Sequence, residues 1–233
     1  MTAPVIVALD YESSAEALAL VRLLGQEATA YKVGLQMLVE EGPELVRTLV
    51  GMDKSVFLDL KTHEIPNSVA GAVRAAGKLG VAMVTVHASG GSAVLQSAVA
   101  AAAPFPGLKV LALTVITSLK DADLPEIGLE PSVQNQVVRL AQLAVANGCH
   151  GVVASAHEAH MLVKLLPAGT LIVVPGIQLV GSAASDQARV SSPKFAAAAG
   201  ATHIVVGRAV TAAEHPQEAF RAVILEFNER SDA

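Results

Sequence analysis

Short apolar runs rich in β-branched residues recur along the chain, each followed by a longer segment with helical spacing. The first run, Val5-Ile6-Val7-Ala8-Leu9, precedes a helix over Ala15–Leu24 that Ser13 or Ser14 would cap. The pattern repeats as Thr29–Val33 before Leu38–Val50, Ser55–Leu60 before Pro66–Leu79, and Val81–His87 before Ser92–Ala102. Leu108–Val115 leads through a polar loop to Ser132–Ala146, and Gly151–Ala154 leads to Ala156–Leu166. Leu171–Val174 is followed, after a Gly/Ser-rich loop, by Pro193–Ala199, and His203–Val206 by Glu214–Asn228. The runs are continuously apolar rather than alternating, as in strands covered on both faces. Eight such units in 233 residues predict an α/β fold, a (β/α)8 TIM barrel forming a single domain over 1–233. An open doubly wound sheet is the alternative. Its dinucleotide-binding form carries a Gly-rich turn after the first strand, where this chain has Asp10-Tyr11-Glu12-Ser13.

Active sites of such barrels lie at the carboxyl ends of the strands. Those ends carry Asp10 after strand 1, Lys32 on strand 2, and Asp59 and Lys61 on strand 3 with Glu64 just beyond. Strand 4 ends in His87, strand 5 leads to Thr117 and Ser118, strand 7 ends at Pro175-Gly176-Ile177-Gln178, and strand 8 at Gly207-Arg208. Asp59 and Lys61 are two apart, so on an extended strand both point the same way. A lone D-x-K is most simply a surface ion pair. Charged residues at the same end of strands 1, 2, 3 and 8 are hard to explain as solvation. Asp10, Lys32, Asp59, Lys61 and Glu64 therefore predict an alternating charge network, in which a cationic Lys61 would donate a proton to a carbanion formed at its ammonium. The plainer use of such a network is to tie strands 1 to 3 together.

The segments after strands 7 and 8, with Asp186-Gln187 and Gly207-Arg208, predict a phosphate site. Gly207 lets backbone N–H groups approach an anion, and Arg208 binds it bidentately. The plainer reading is a turn glycine beside a surface arginine. The segment Val180–Ala188, rich in Gly, Ser and Ala, is the natural candidate for a closing loop.

Composition narrows the function classes. Hydrophobic residues make up 52% and charged residues 16%, and mean hydropathy is +0.51, so a large core is available. No apolar run is long enough to span a bilayer, so no membrane association is expected. The N-terminus lacks a basic region before its apolar run, which argues against a secretory signal. A single cysteine, Cys149, excludes an internal disulfide and fits the reducing cytoplasm. A net charge of −5, no tryptophan and 3% aromatic residues argue against nucleic-acid binding. His87 reads as a supporting group rather than a catalyst, His157 as a helix-start residue, and Cys149 as core. His63 has no metal-ligand spacing around it.

Several stretches together resemble the orotidine 5′-phosphate decarboxylase family. They are Ala8-Leu9-Asp10, Tyr31-Lys32-Val33-Gly34, Asp59-Leu60-Lys61-x-His63-Glu64-Ile65-Pro66-Asn67, Val86-His87-Ala88, Thr114 to Thr117-Ser118, Asp186-Gln187 and Val206-Gly207-Arg208. The resemblance runs in order over nearly the whole chain. It implies a metal-free and cofactor-free barrel enzyme, usually a homodimer, that converts orotidine 5′-phosphate to UMP and carbon dioxide in pyrimidine synthesis. Lys61 would then protonate C6, Asp59 would sit beside the substrate carboxylate, and Lys32 would link the carboxylates and contact the ribose. Asp10 would bind a ribose hydroxyl. Glu64 and Ser68 would reach across the interface into the partner's site. Thr117 and Ser118 would lie near the base, and Gln187, Gly207 and Arg208 would hold the phosphate.

Three positions depart from the family pattern. Glu64 stands for aspartate, Ser68 for threonine, and Gln178 for an arginine common in bacterial members. A misplaced reacting group can cost on the order of a hundredfold in rate for about 1 Å. A catalytically weakened barrel that binds a nucleotide is therefore one alternative. A Mg²⁺-dependent phosphosugar decarboxylase or aldolase of the same superfamily is another. Its relatives place an acid on strand 2, where this chain has Lys32, a cation that repels a metal.

Overall fold

Side chains on a strand alternate between two faces, and that alternation sorts the chain into two cores. A computed structural model of the protein describes residues 4–179 and 189–229. In chain order its regular elements are β1 (Val5–Ala8), α1 (Ser14–Leu24), β2 (Ala30–Gly34), α2 (Leu35–Glu41), α3 (Glu44–Gly51) and β3 (Ser55–Thr62). There follow α4 (Pro66–Leu79), β4 (Met83–His87), α5 (Ser92–Ala102), β5 (Lys109–Leu113), α6 (Val133–Ala146) and β6 (Gly151–Val153). The chain continues with α7 (Ala156–Leu165), β7 (Leu171–Ile177), α8 (Pro193–Ala198), β8 (His203–Val206), α9 (Arg208–Thr211) and α10 (Pro216–Asn228). The eight strands are parallel and close into a barrel in sequence order, β8 returning to pair with β1. Among the described residues no helix is long and apolar enough to cross a membrane.

Inside the barrel, Ile6, Ala30, Phe57, Met83, Leu111 and Val173 form one packed cluster. Their neighbours Val7, Tyr31, Leu58, Val84, Ala112 and Val174 face outward into the layer beneath the helices. The same parity carries Lys32 and Asp59 inward at the carboxyl ends of their strands. The helix ends follow local chemistry. Ser13 caps α1, its hydroxyl accepting the Glu16 N–H at 3.3 Å, so Ser14 is the first helical residue rather than the cap. Pro66 opens α4 without losing a hydrogen bond.

Two expected helices are differently divided. The single helix expected over Leu38–Val50 is two, α2 and α3. Gly42 adopts φ 63°, and Pro43 then disfavours helical backbone in the residue before it. The helix expected over Glu214–Asn228 starts at Pro216, and the short α9 precedes it directly after β8. The polar connection after β5 contains a 3₁₀ stretch over Asp121–Ile127. β7 extends past Val174 to Ile177 through a break in its register with β8.

Candidate active site

The inward-facing charges meet at one end of the barrel. Lys32 Nζ lies 3.0 Å from Asp10 Oδ1 and 4.0 Å from Asp59 Oδ2. Lys61 Nζ lies 2.6 Å from the same Asp59 oxygen. Asp59 therefore sits between two ammonium groups, and only 8% of it is exposed. A carboxylate withdrawn from water this far needs every lone pair satisfied. Its second oxygen, Oδ1, accepts a hydrogen bond of 2.7 Å from the hydroxyl of Thr85 on β4. Gly34, at the end of β2, leaves room for the cluster: a Cβ there would lie 3.2 Å from Lys32 Nζ and 3.6 Å from Asp10 Oδ1.

Lys61 reaches Asp59 by a route that plain alternation does not describe. β3 pairs with β4 at Leu58–Val84 and again at Thr62–Val86. Between those pairs Asp59, Leu60 and Lys61 stand opposite Thr85 alone, which makes a bulge on β3. Lys61 takes the left-handed value φ 49°, one of two non-glycine residues in that region among those described. Bulges re-aim side chains next to functional sites, and this one turns the Lys61 amine toward Asp59. β7 shows a matching irregularity between Val174 and Ile177, where Gly176 has φ 76°.

A cavity of about 410 Å³ opens over these residues. This volume lies within the range of small-molecule clefts, about 300–1,000 Å³. Asp10, Lys32, Asp59 and Lys61 line it from the ends of β1 to β3, and Gln178, Gly207 and Arg208 from the ends of β7 and β8. Phe57, Leu113 and Val153 make an apolar floor, and Ile116 and Thr117 lie at the β5 edge. The cavity thus offers a buried anion flanked by cations and, after β8, an arginine beside a glycine. Among the described residues no three His, Cys, Asp or Glu side chains come together as metal ligands.

A family model described as "Orotidine 5′-phosphate decarboxylase / HUMPS family" matches residues 3–223. The chain belongs to this family. Among its relatives, the orotidine 5′-phosphate decarboxylase of Alkalilimnicola ehrlichii is 50% identical over 212 residues, 91% of this chain and 90% of the relative. That of Pseudoalteromonas translucida is 45% identical over 214 residues, covering 91% and 92%. The crystal structure of the Lactobacillus acidophilus orotidine 5′-phosphate decarboxylase superposes with a TM-score of 0.86 at 34% identity, over 97% of this chain and 99% of that one.

Within this decarboxylase-family barrel, Asp10, Lys32, Asp59, Lys61, Thr117, Gln178, Gly207 and Arg208 line the one cavity. Glu64 does not join the charge network expected of it. β3 ends at Thr62, and the Glu64 carboxylate accepts the N–H of Ile65 at 2.8 Å on an exposed surface. It lines a separate shallow groove with His63, Pro66 and Ser89. Ser68 is exposed on the first turn of α4, and Ser118 is exposed beside Thr117 without lining the cavity. Gln187 and the candidate closing loop 180–188 lie outside the described residues. The chain on either side of that loop is tied together, the Gln178 N–H donating to the Ser191 carbonyl at 2.9 Å and the Ser191 N–H to that of Gly176 at 3.0 Å.

Sequence reasoning missed Thr85 and the Arg189–Glu158 pair. Thr85 shares the inward parity of Met83 one turn of the pleat below, and that parity was the signal available. Arg189 Nη1 meets Glu158 Oε1 at 2.8 Å, and Nη2 donates to the carbonyls of Val115 and Ile116 at 3.3 Å. Glu158 in turn accepts from the Ser155 hydroxyl and, at 3.1 Å, from the Ser155 N–H. His63, His87, His157 and Cys149 do not line the cavity. His87 stacks on His63 at 5.0 Å and pairs with the Ser89 hydroxyl at 2.5 Å. Burial, then His63 and Lys61, lower its pKa from the ordinary value. His157 lies in the first turn of α7 against Phe195. Cys149 is buried, and burial pushes its thiol up to about 12.

Proposed function

We propose that this protein decarboxylates orotidine 5′-phosphate to UMP and carbon dioxide in pyrimidine synthesis. In this reading it is a cytoplasmic, single-domain enzyme that needs neither metal nor organic cofactor. The observation that carries the mechanism is the buried Asp59 carboxylate held 2.6 Å from the Lys61 ammonium, with Lys32 behind it. The substrate phosphate goes to the Gly207–Arg208 side, with Gln178 and Gln187 contributing. The ribose goes between Asp10 and Lys32, the base toward Thr117 and Ser118, and C6 toward Lys61. The substrate carboxylate then lies beside Asp59, like charge against like charge, and leaving as neutral carbon dioxide removes that repulsion.

The C6–carboxylate bond breaks heterolytically, and the electron pair stays on C6. A fixed ammonium stabilises that charge where it develops, and Lys61 gives C6 its proton. Solvent then reprotonates the amine. Phosphate binding far from C6 contributes by holding the reacting carbon in place. Two lysines beside Asp59 also make this a poor seat for a divalent cation.

The active form in this reading is a homodimer in which Glu64 and Ser68 enter the partner's site. Support comes from their exposure next to Ile65, an apolar residue left 62% accessible. The test uses two variants. Lys61→Ala is expected to lose turnover while still binding UMP, and Glu64→Ala to be strongly impaired. Mixing and reassembling the two should recover part of the activity, because each mixed dimer keeps one intact site. Near-normal turnover in Lys61→Ala would remove the proton-donor role, and no recovery on mixing would remove the shared site.

A further inference from the structure

We propose that Thr85 is the positioning residue that aims Asp59 and sets the backbone of Lys61. This rests on the reading of those two residues as the decarboxylation machinery. Thr85 is completely buried, and its hydroxyl is committed twice. Its oxygen accepts the Lys61 N–H at 2.9 Å and its proton goes to Asp59 Oδ1 at 2.7 Å. A hydroxyl has one proton, so the bond from the Lys61 amide fixes the direction in which that proton points.

The consequences follow from what each atom would otherwise meet. Both lysine ammonium groups fall on Oδ2 of Asp59, at 2.6 and 4.0 Å. Oδ1 is held instead by the Thr85 hydroxyl. The terminal torsion of an aspartate is soft, and a buried oxygen without a donor would swing the carboxylate toward any available partner. Thr85 pins Oδ1 and so leaves Oδ2 facing Lys61. The bulge is held by the same group. Asp59, Leu60 and Lys61 have only Thr85 opposite them, so the Lys61 amide lacks a regular ladder partner. Left-handed backbone at a lysine is unfavourable and persists when its surroundings fix it. The Thr85 oxygen is the acceptor that replaces the ladder carbonyl.

The test compares Thr85→Val, which keeps the shape and removes the hydroxyl, with Thr85→Ser, which keeps the hydroxyl. Thr85→Val is expected to lower kcat for orotidine 5′-phosphate by about ten- to a hundredfold, the effect of a reacting group displaced by up to about 1 Å. KM and UMP binding should change little, and Thr85→Ser should recover most of kcat. If Thr85→Val does not fold, Thr85→Ala is read in the same way. Adding Thr85→Val to Asp59→Asn should lower kcat by less than Thr85→Val does alone, because the part of its effect that passes through Asp59 is already lost while the part through the Lys61 backbone remains. Unchanged kcat without the hydroxyl, no rescue by serine, or full additivity with Asp59→Asn would each overturn the proposal. Failure of the wild-type protein to turn over orotidine 5′-phosphate would instead overturn the reading of the site.

Discussion

Gly34 controls how closely the Asp10–Lys32 pair can lie against β2. Its φ of −96° suits any residue, so only space is at stake. An added methyl would press on the Lys32 ammonium at 3.2 Å, the far end of a flexible side chain. Gly34→Ala is therefore expected to leave stability within about 0.5 kcal/mol. It should lower kcat/KM by about tenfold through displacement of the amine. Denaturant unfolding and steady-state kinetics on the same preparation check both halves, and an unchanged kcat/KM would show that the Lys32 position is not critical. Asp10, Lys32, Asp59 and Lys61 were legible because charge at the carboxyl ends of apolar strands is conspicuous. Thr85 was not, since threonine is also a good strand former among valines. Glu64 lies near Lys61 in sequence, but the strand stops at Thr62 and sends it to the surface.

At the scale of elements, three connections at the cavity mouth share one buried ion pair. Arg189 lies in the β7–α8 connection, Glu158 in the first turn of α7, and the carbonyls of Val115 and Ile116 in the exit from β5. The pair is nearly withdrawn from solvent, with side-chain exposures of 13% and 8%. Removing one partner leaves the other charge buried, which costs about 3–5 kcal/mol. Glu158→Ala is expected to lower the free energy of unfolding in urea by that amount, and an unchanged midpoint would show that water replaces the carboxylate freely. The start of α7 was legible from Ser155 and Glu158 at cap spacing, but no local pattern says that Arg189 completes the site. Helices α4 and α5 have the expected bounds because Pro66 and the Gly90-Gly91 turn mark their starts. The split between α2 and α3 was signalled by Gly42-Pro43, which the apolar periodicity across it masked. The bulges in β3 and β7 carry no period of their own, so alternation gave the right partner for Asp59 by an incomplete route.

For the whole molecule, closure of the sheet is what makes the site. β8 pairs with β1, so Arg208 and Asp10 come from opposite ends of the chain to line one cavity. That closure was legible as eight repeats of one unit. A single chain's pattern says which surfaces are apolar and not whether another subunit covers them. Chemistry at the Asp59–Lys61 pair is read out by the loss of orotidine 5′-phosphate absorbance with purified protein in excess EDTA. Sustained conversion to UMP with one carbon dioxide per turnover is expected. No conversion with UMP still bound would contradict catalysis and leave a nucleotide-binding barrel, and activity only on a phosphosugar with Mg²⁺ would move the protein to a different reaction of its family.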